Sequence, residues 1–342
     1  MEQGIYPLKF LPLFKQRVWG GNKIAKELGV DYSPLPSCGE LWCLSGLREQ
    51  ETVVANGFLA EAVLEEVIEM YTDELLGEEN YAEFGTNFPL LLKIIDANDN
   101  LSVQVHPDDD YAERNGLGNG KNEMWYVLQA DKDAQLFNGW NKNMTKAEVI
   151  NRVRENNLIE VLNCERVERG DLFYIPAGLV HSLGKGCMVA EVQQSSDTTY
   201  RLYDWGRVDE NGKSRTLHME ESLQVLNLKG QKRSGKVHYH YHTDKTNNML
   251  TTPFFTVNHI HCFQGLKKDY SALDSFVIYF CVGGGGFIET ESGRIPMRAG
   301  EAMLIPAVCQ ATFIQPQPNM EILEIFIVTQ IINNLIDSIL KV

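Results

Sequence analysis

A chain of 342 residues with 44% hydrophobic and 23% charged residues has the balance of an ordinary globular protein and length for one to three domains. Its formal net charge of −15 speaks against a polyanion-binding surface, so nucleic acid is not an expected partner. No apolar run approaches the roughly 20 residues a membrane span needs, and the seven scattered cysteines (Cys38, Cys43, Cys164, Cys187, Cys262, Cys281 and Cys309) lack the pairing of a disulfide framework or a CxxC spacing. With an opening Met1 to Gly4 that carries neither a basic nor an apolar leader region, a cytoplasmic protein is expected.

The first segment, Tyr6 to Gly21, alternates apolar residues and ends in Arg17-Val-Trp-Gly-Gly21, where the double glycine suits a tight turn or a close approach to backbone. Gly39 to Ser45 is a short strand with Glu40 and Trp42 on one face. Residues 60 to 76 read as a helix, with Leu64, Val67, Ile68, Tyr71 and Leu75 at helical spacing. Phe88 to Ile95 is an apolar strand interrupted by Lys93, and the turn from Asp96 to Asn100 leads into a strand from Leu101 to Pro107. On that strand Gln104 and His106 lie two apart and share a face, an amide beside an imidazole.

Glu123 opens the apolar run Met124 to Leu128, and His181 closes a segment that begins at Gly170 and passes through Ile175-Pro-Ala177. One His, one Glu and one further His on successive strand-like runs form a metal-ligand set for a small β-barrel. Zinc or iron suits these donors, with the Gln104 amide as an uncommon fourth. Lys121, two residues before Glu123, reaches the same pocket, at the end of a glycine-rich loop (Gly116, Gly118, Gly120) expected to be a mobile rim above the metal. That loop is too irregular for a dinucleotide fingerprint. Residues 145 to 162 read as a second helix, started by a Thr145/Glu148 capping box. After a short strand at Val189 to Val192, Arg201, Tyr203 and Trp205 alternate onto one face. Arg201 there is either a clamp for a sugar oxygen or phosphate or a salt-bridged strand edge.

The chain changes character near residue 225. A basic connection over 229 to 236 leads to strands at Phe254 to His261 and Ser275 to Val282, with Gly283 to Gly286 as a wide turn. Aligning Gly170…Ile175-Pro-Ala177 with Gly300…Ile305-Pro-Ala307 puts Ala311 opposite His181 and Phe276 opposite Glu123. Two related barrels are implied, the second without the ligands. His238, His240 and His242 alternate as a rival metal face, but same-face strand neighbours are about 7 Å apart, so a solvated edge is the expectation there. Ile331, Leu335 and Ile339 place an apolar stripe on a C-terminal helix over 331 to 342. The expected division is thus 1–225, a catalytic barrel with helical insertions; 226–330, a degenerate barrel; and the terminal helix.

Five stretches, Pro89 to Asp96, Leu101 to Pro107, Lys121 to Tyr126, Tyr174 to His181 and Thr199 to Trp205, together with Trp19-Gly20 and Glu40-Leu-Trp42, resemble the type I mannose-6-phosphate isomerases in their short form. These are zinc-dependent enzymes of the cupin superfamily. The resemblance implies a mainly β fold of two cupin-like jelly-roll barrels with a few helices, the first barrel metal-binding and the second degenerate. It implies one zinc held by Gln104, His106, Glu123 and His181, Arg201 and Lys121 as catalytic residues, and Lys93, Arg207, Trp19 and Glu40 toward the substrate. The implied reaction interconverts mannose 6-phosphate and fructose 6-phosphate through an enediol, with Lys121 or a metal-held hydroxide as the base, in a monomer or homodimer. A non-catalytic sugar-phosphate-binding cupin and an Fe(II) dioxygenase on His106, Glu123 and His181 are the alternatives.

Overall fold

Pairings between residues far apart in sequence, which no local pattern encodes, decide the architecture. The computed structural model describes residues 4–208, 212–231 and 235–328, and the helix expected over 331–342 lies outside them. The chain is mainly β and divides into two compact units, one of residues 1–13, 42–92 and 238–342, the other of residues 14–41 and 93–237. The units interleave in sequence, and the N-terminal strand Leu8–Leu11 pairs with Ala302–Ile305, Leu8 opposite Leu304. The segment over 60–76 accordingly lies in the first of these units.

The second unit carries the sequence-predicted ligands. It contains a five-stranded sheet in the order Tyr200–Tyr203, Val103–Val105, His181–Leu183, Gln135–Trp140 and Leu162–Arg166. The strands Lys236–Val237, Leu172–Ile175, Glu123–Ala130, Cys187–Gln194, Leu90–Asp96, Glu40–Ser45 and Leu13–Lys15 make a seven-stranded sheet. Both sheets are open along their hydrogen bonds, as a double-sheet jelly roll allows. Trp19, Trp125, Leu136, Phe173, Ile175, Leu183 and Val189 form one buried core of this unit. Gly184, just past the His181–Leu183 strand, has no room for a side chain, since a Cβ there would lie 2.0 Å from the Gln135 carbonyl oxygen. Gly184→Ala is expected to lower stability by about 2 kcal/mol or more, read as a reduced denaturant midpoint at unchanged slope.

The first unit holds a nine-stranded sheet around Ile260, Tyr279, Met303, Ile314 and Ile322. Here the expected turn over Gly283 to Gly286 is instead part of one strand, Val277–Thr290, with register shifts at Cys281/Gly283 and Gly284/Gly286. The glycines serve contact rather than reversal: a Cβ on Gly286 would meet the Gln315 carbonyl oxygen at 2.0 Å. The register also corrects the internal alignment by one. Ile175 pairs with Glu123 and Ile305 pairs with Val277, so Val277, not Phe276, stands where the other unit has Glu123.

Three helical readings change in detail. The first helix runs Leu64–Leu76, with Thr72 at φ +45° breaking its regularity, and Glu78–Phe84 follows. The second keeps its capping box but ends at Arg154; Asn156 at φ +56° turns the chain into the 3-10 turn Leu158–Val161 and the strand Leu162–Arg166. The loop expected as a rim contains a helix, Asp109–Arg114, because the Asp108 side chain accepts from the Tyr111 N–H. Among the described residues no helix is long and apolar enough to cross a membrane.

Candidate metal centre

Strand register brings three candidate side chains together on the five-stranded sheet. Gln104 pairs with His181 on one side and with Arg201 on the other, and residues directly opposite share a face. His106 follows two residues after Gln104, just beyond its strand. Glu123 begins a strand of the seven-stranded sheet, opposite Ile175 and Gln193. The two sheets meet at these residues: one donor atom each from His106, Glu123 and His181 lies within 4.8 Å of the others, and all three residues are buried. His106 Nε2 stands 3.4 Å from Glu123 Oε2, and His181 Nε2 3.4 Å from Glu123 Oε1.

Backbone carbonyls fix both imidazoles. His106 Nδ1 lies 2.9 Å from the Thr198 oxygen and His181 Nδ1 2.9 Å from the Leu179 oxygen. With Nδ1–H donating there, each Nε2 turns its lone pair toward Glu123. Burial, reinforced by the Lys121 charge, depresses the His106 pKa well below the usual value, and burial takes His181 to about 4. Burial also pushes the Glu123 carboxyl up to about 7, against the opposing pull of Lys121. His106 Nε2 and both Glu123 oxygens are buried without a well-formed hydrogen bond. Two neutral imidazoles and an unsatisfied carboxyl, converging in a dry place, fit a divalent cation of nitrogen- and oxygen-binding character. The Gln104 amide is turned with its nitrogen 3.3 Å from His181 Nε2 and its oxygen toward the Ser102 hydroxyl; half a turn about its last torsion exchanges the two.

Lys121 is buried, its Nζ 3.4 Å from Glu123 Oε2. Behind the cluster runs a network that sequence reasoning missed. Lys93 donates to Gln193 Oε1 at 2.6 Å and lies 3.1 Å from Glu191 Oε2, and the Trp125 indole donates to Glu191 Oε1 at 2.8 Å. The Trp125 ring in turn meets the His181 ring edge-on at 5.4 Å. Burial opposes charge on both Lys93 and Glu191. Mutual attraction outweighs it, so the Lys93 pKa is raised and that of Glu191 lowered. The signal for this network was present: Glu191 and Gln193 sit two apart in an otherwise apolar strand.

Other candidates fall further out. Arg201 is half-buried; its Nη1 donates to the Thr216 oxygen at 2.9 Å and its buried Nε has no hydrogen-bond partner. A bulge between Arg201 and Tyr203, and Trp205 at φ +59°, break the expected common face of those residues. Glu40 takes a two-pronged ion pair from Arg17. Trp19 is packed into the core, and its carbonyl accepts from the Asn98 and Asp99 N–H groups. Arg207 is held by Asp99, Asp204 and the Asn100 oxygen, at the end of the Gln104 strand away from His106. His238, His240 and His242 are exposed and outside any strand. Among the described residues, His106, Glu123 and His181 are the group with metal-binding geometry.

Comparison with known proteins decides the family. Phosphomannose isomerase type I, catalytic domain, matches residues 8–143. Mannose-6-phosphate isomerase ManA of Bacillus subtilis is 36% identical over 304 residues, 88% of this chain and 93% of the relative. The chain belongs to the type I phosphomannose isomerase family. The mannose-6-phosphate isomerase of Streptococcus mutans is likewise 36% identical, across 86% of this chain and 92% of its own length. The crystal structure of mannose 6-phosphate isomerase from Bacillus subtilis superposes with a TM-score of 0.83 at 28% identity, covering 95% of this chain and all of that one. A phosphomannose isomerase variant from Salmonella typhimurium, at 15% identity and TM-score 0.74, shares the fold. The cupin-like architecture expected from the sequence therefore stands.

Proposed function

We propose that this protein is a zinc-dependent mannose-6-phosphate isomerase that interconverts mannose 6-phosphate and fructose 6-phosphate. The observation that carries the reading is the buried His106–Glu123–His181 cluster with its unsatisfied donor atoms, in a chain of this family. These three residues would hold the zinc, with Gln104 supplying its amide oxygen once turned. Zinc bound there acts as a Lewis acid that stabilises negative charge developing on the sugar's oxygens. The reaction moves a proton between adjacent carbons through an enediol. Lys121, beside Glu123, would hold or pass that proton, and Arg201, paired with Gln104, would stabilise charge at the reacting end. The Lys93–Glu191–Trp125 network would hold the His181 ring in place through the Trp125 ring. All seven cysteines are unpaired, which suits a cytoplasmic setting for this activity.

A coupled assay for fructose 6-phosphate, with metal analysis of the same sample, tests the reading: about one zinc per chain and turnover abolished by a chelator are expected. Zinc affinity should also follow the Glu123 titration. The metal-free carboxyl titrates at about 7, above its ordinary value, so protons compete with metal below that pH, while the depressed imidazoles are already neutral there. Affinity is expected to fall about tenfold per unit as pH drops from about 7 toward about 5.5 and to level off above about 8. Competition with a chromophoric chelator measures it, and a flat profile would remove Glu123 from the centre.

A further inference from the structure

The cations proposed for the reacting end leave open what recognises the substrate's other end, a phosphate dianion. Lys93 is buried and committed to Gln193 and Glu191, and Arg207 sits at the far end of the Gln104 strand. The seven-stranded sheet, however, carries a series of polar and charged side chains outward from the metal cluster. In strand order from Glu123 it passes Gln193, Lys93 and Glu40 and ends at Arg17, just beyond the edge strand Leu13–Lys15. Within it, Gln193 accepts from Lys93 at 2.6 Å and Glu40 accepts from Arg17 at 2.9 Å. Glu191, then Glu40 and Glu123, favour the charged form of Lys93 against its burial.

A second connection runs through a loop. The Ser196 oxygen accepts from Gln193 Nε2 at 2.6 Å and the Thr198 oxygen lies 2.9 Å from His106 Nδ1. Asp197, between them, acts on the charge of Arg17. Arg17 is therefore within electrostatic reach of the loop that anchors a metal ligand.

Arg17 itself has the geometry of an anion fork. Its Nε and Nη2 lie 2.9 and 3.0 Å from the two oxygens of Glu40, and its side chain is 38% exposed against 14% for Glu40. Guanidinium binds carboxylate and phosphate through the same paired N–H geometry. Its stem lies across Gly39, where any Cβ would come within 2.6 Å of Arg17 Cβ. The glycine before Glu40 is thus part of the fork's seat. Lys15, two residues before Arg17 at the end of the edge strand, has its charge disfavoured by burial and then by Arg17.

Resting on the isomerase reading, we infer that Arg17 recognises the substrate's phosphate, with Glu40 occupying the fork until phosphate oxygens replace it. Lys15 adds a second positive charge two residues away. The expected result for Arg17→Ala is a KM for mannose 6-phosphate raised about 10- to 100-fold with kcat changed less than about threefold. The inhibition constant of inorganic phosphate should rise in parallel, while kcat/KM for unphosphorylated mannose stays at the wild-type value. Arg17→Lys should recover part of the phosphate affinity, and Gly39→Ala should reproduce the Arg17→Ala phenotype with the arginine present. Equal losses for mannose and mannose 6-phosphate would make the Arg17–Glu40 pair structural and overturn the inference, as would unchanged KM and phosphate inhibition. A wild-type protein that does not isomerise mannose 6-phosphate would sink the isomerase reading instead. In that event, calorimetry of inorganic phosphate with wild type and Arg17→Ala still decides the role of Arg17: equal affinity overturns it.

Discussion

His106→Ala is expected to yield a folded protein that holds no zinc and turns over mannose 6-phosphate at least about a thousandfold more slowly than wild type. The imidazole supplies one of three converging donors, and its loss leaves His181 and Glu123, with the neutral Gln104 amide, to hold a metal. The fold should persist because His106 follows the strand Val103–Val105 and its ring carries no ladder hydrogen bond. The structural cost is the Thr198 oxygen, which loses its partner, plus a cavity where the ring was, together about 2–4 kcal/mol. Circular dichroism, metal content by plasma emission and the coupled assay separate these effects. One zinc retained per chain would exclude His106 from the centre, and zinc bound only at His238, His240 and His242 would move the centre to the other unit.

The metal cluster was legible in the sequence because each ligand ends or begins a strand with a strong local signature. Gln104 and His106 alternate before a proline, Glu123 precedes an apolar run, and His181 follows Ile175-Pro-Ala177. What local pattern could not give was partnership. Lys93 is expected toward the substrate from the resemblance, and its apolar strand names no partner for it. Its partners Glu191 and Gln193 lie about a hundred residues away and become visible only when the strands are side by side. The same holds for Arg207, whose captors include Asp99 and the Asn100 oxygen. Glycine was ambiguous for a different reason: the run over 283–286 signals either reversal or close approach, and the backbone at Gln315 decides for approach.

The internal repeat was legible to within one residue, and the corrected register reveals more than the alignment did. Val277 and Ala311 stand where the other unit has Glu123 and His181, so the ligands are gone. Glu191 pairs with Trp125, and two residues beyond Val277 the strand pairs Tyr279 with Glu324. Glu324 is again a buried carboxylate, held by Lys268 at 2.8 Å and by the Tyr270 hydroxyl. The carboxylate behind the site persists where the site itself does not. Once buried, such a group cannot lose one partner without leaving a charge unpaired, whereas metal ligands can be replaced by apolar residues that fill the same space.

Arg201→Ala is expected to lower kcat by about a hundred- to a thousandfold while zinc content stays at the wild-type level. The side chain is paired in register with Gln104, on the face that also carries His181. Its backbone is clamped on both sides: the Arg201 N–H donates to His218 Nδ1, and the His218 N–H donates to the Arg201 oxygen. Thr216 holds Nη1, which fixes the guanidinium plane and leaves the buried Nε without a partner. Burial, ahead of repulsion from Arg215, lowers the Arg201 pKa, as expected of a partly desolvated guanidinium. Such a group gains most when negative charge develops beside it, so its contribution belongs to the transition state rather than to ground-state binding. Arg201→Lys supplies charge without the planar donors and should recover only part of the loss. Steady-state kinetics with metal analysis of each variant decide the matter: a rise confined to KM would make Arg201 a binding residue, and unchanged kinetics would take it out of the site.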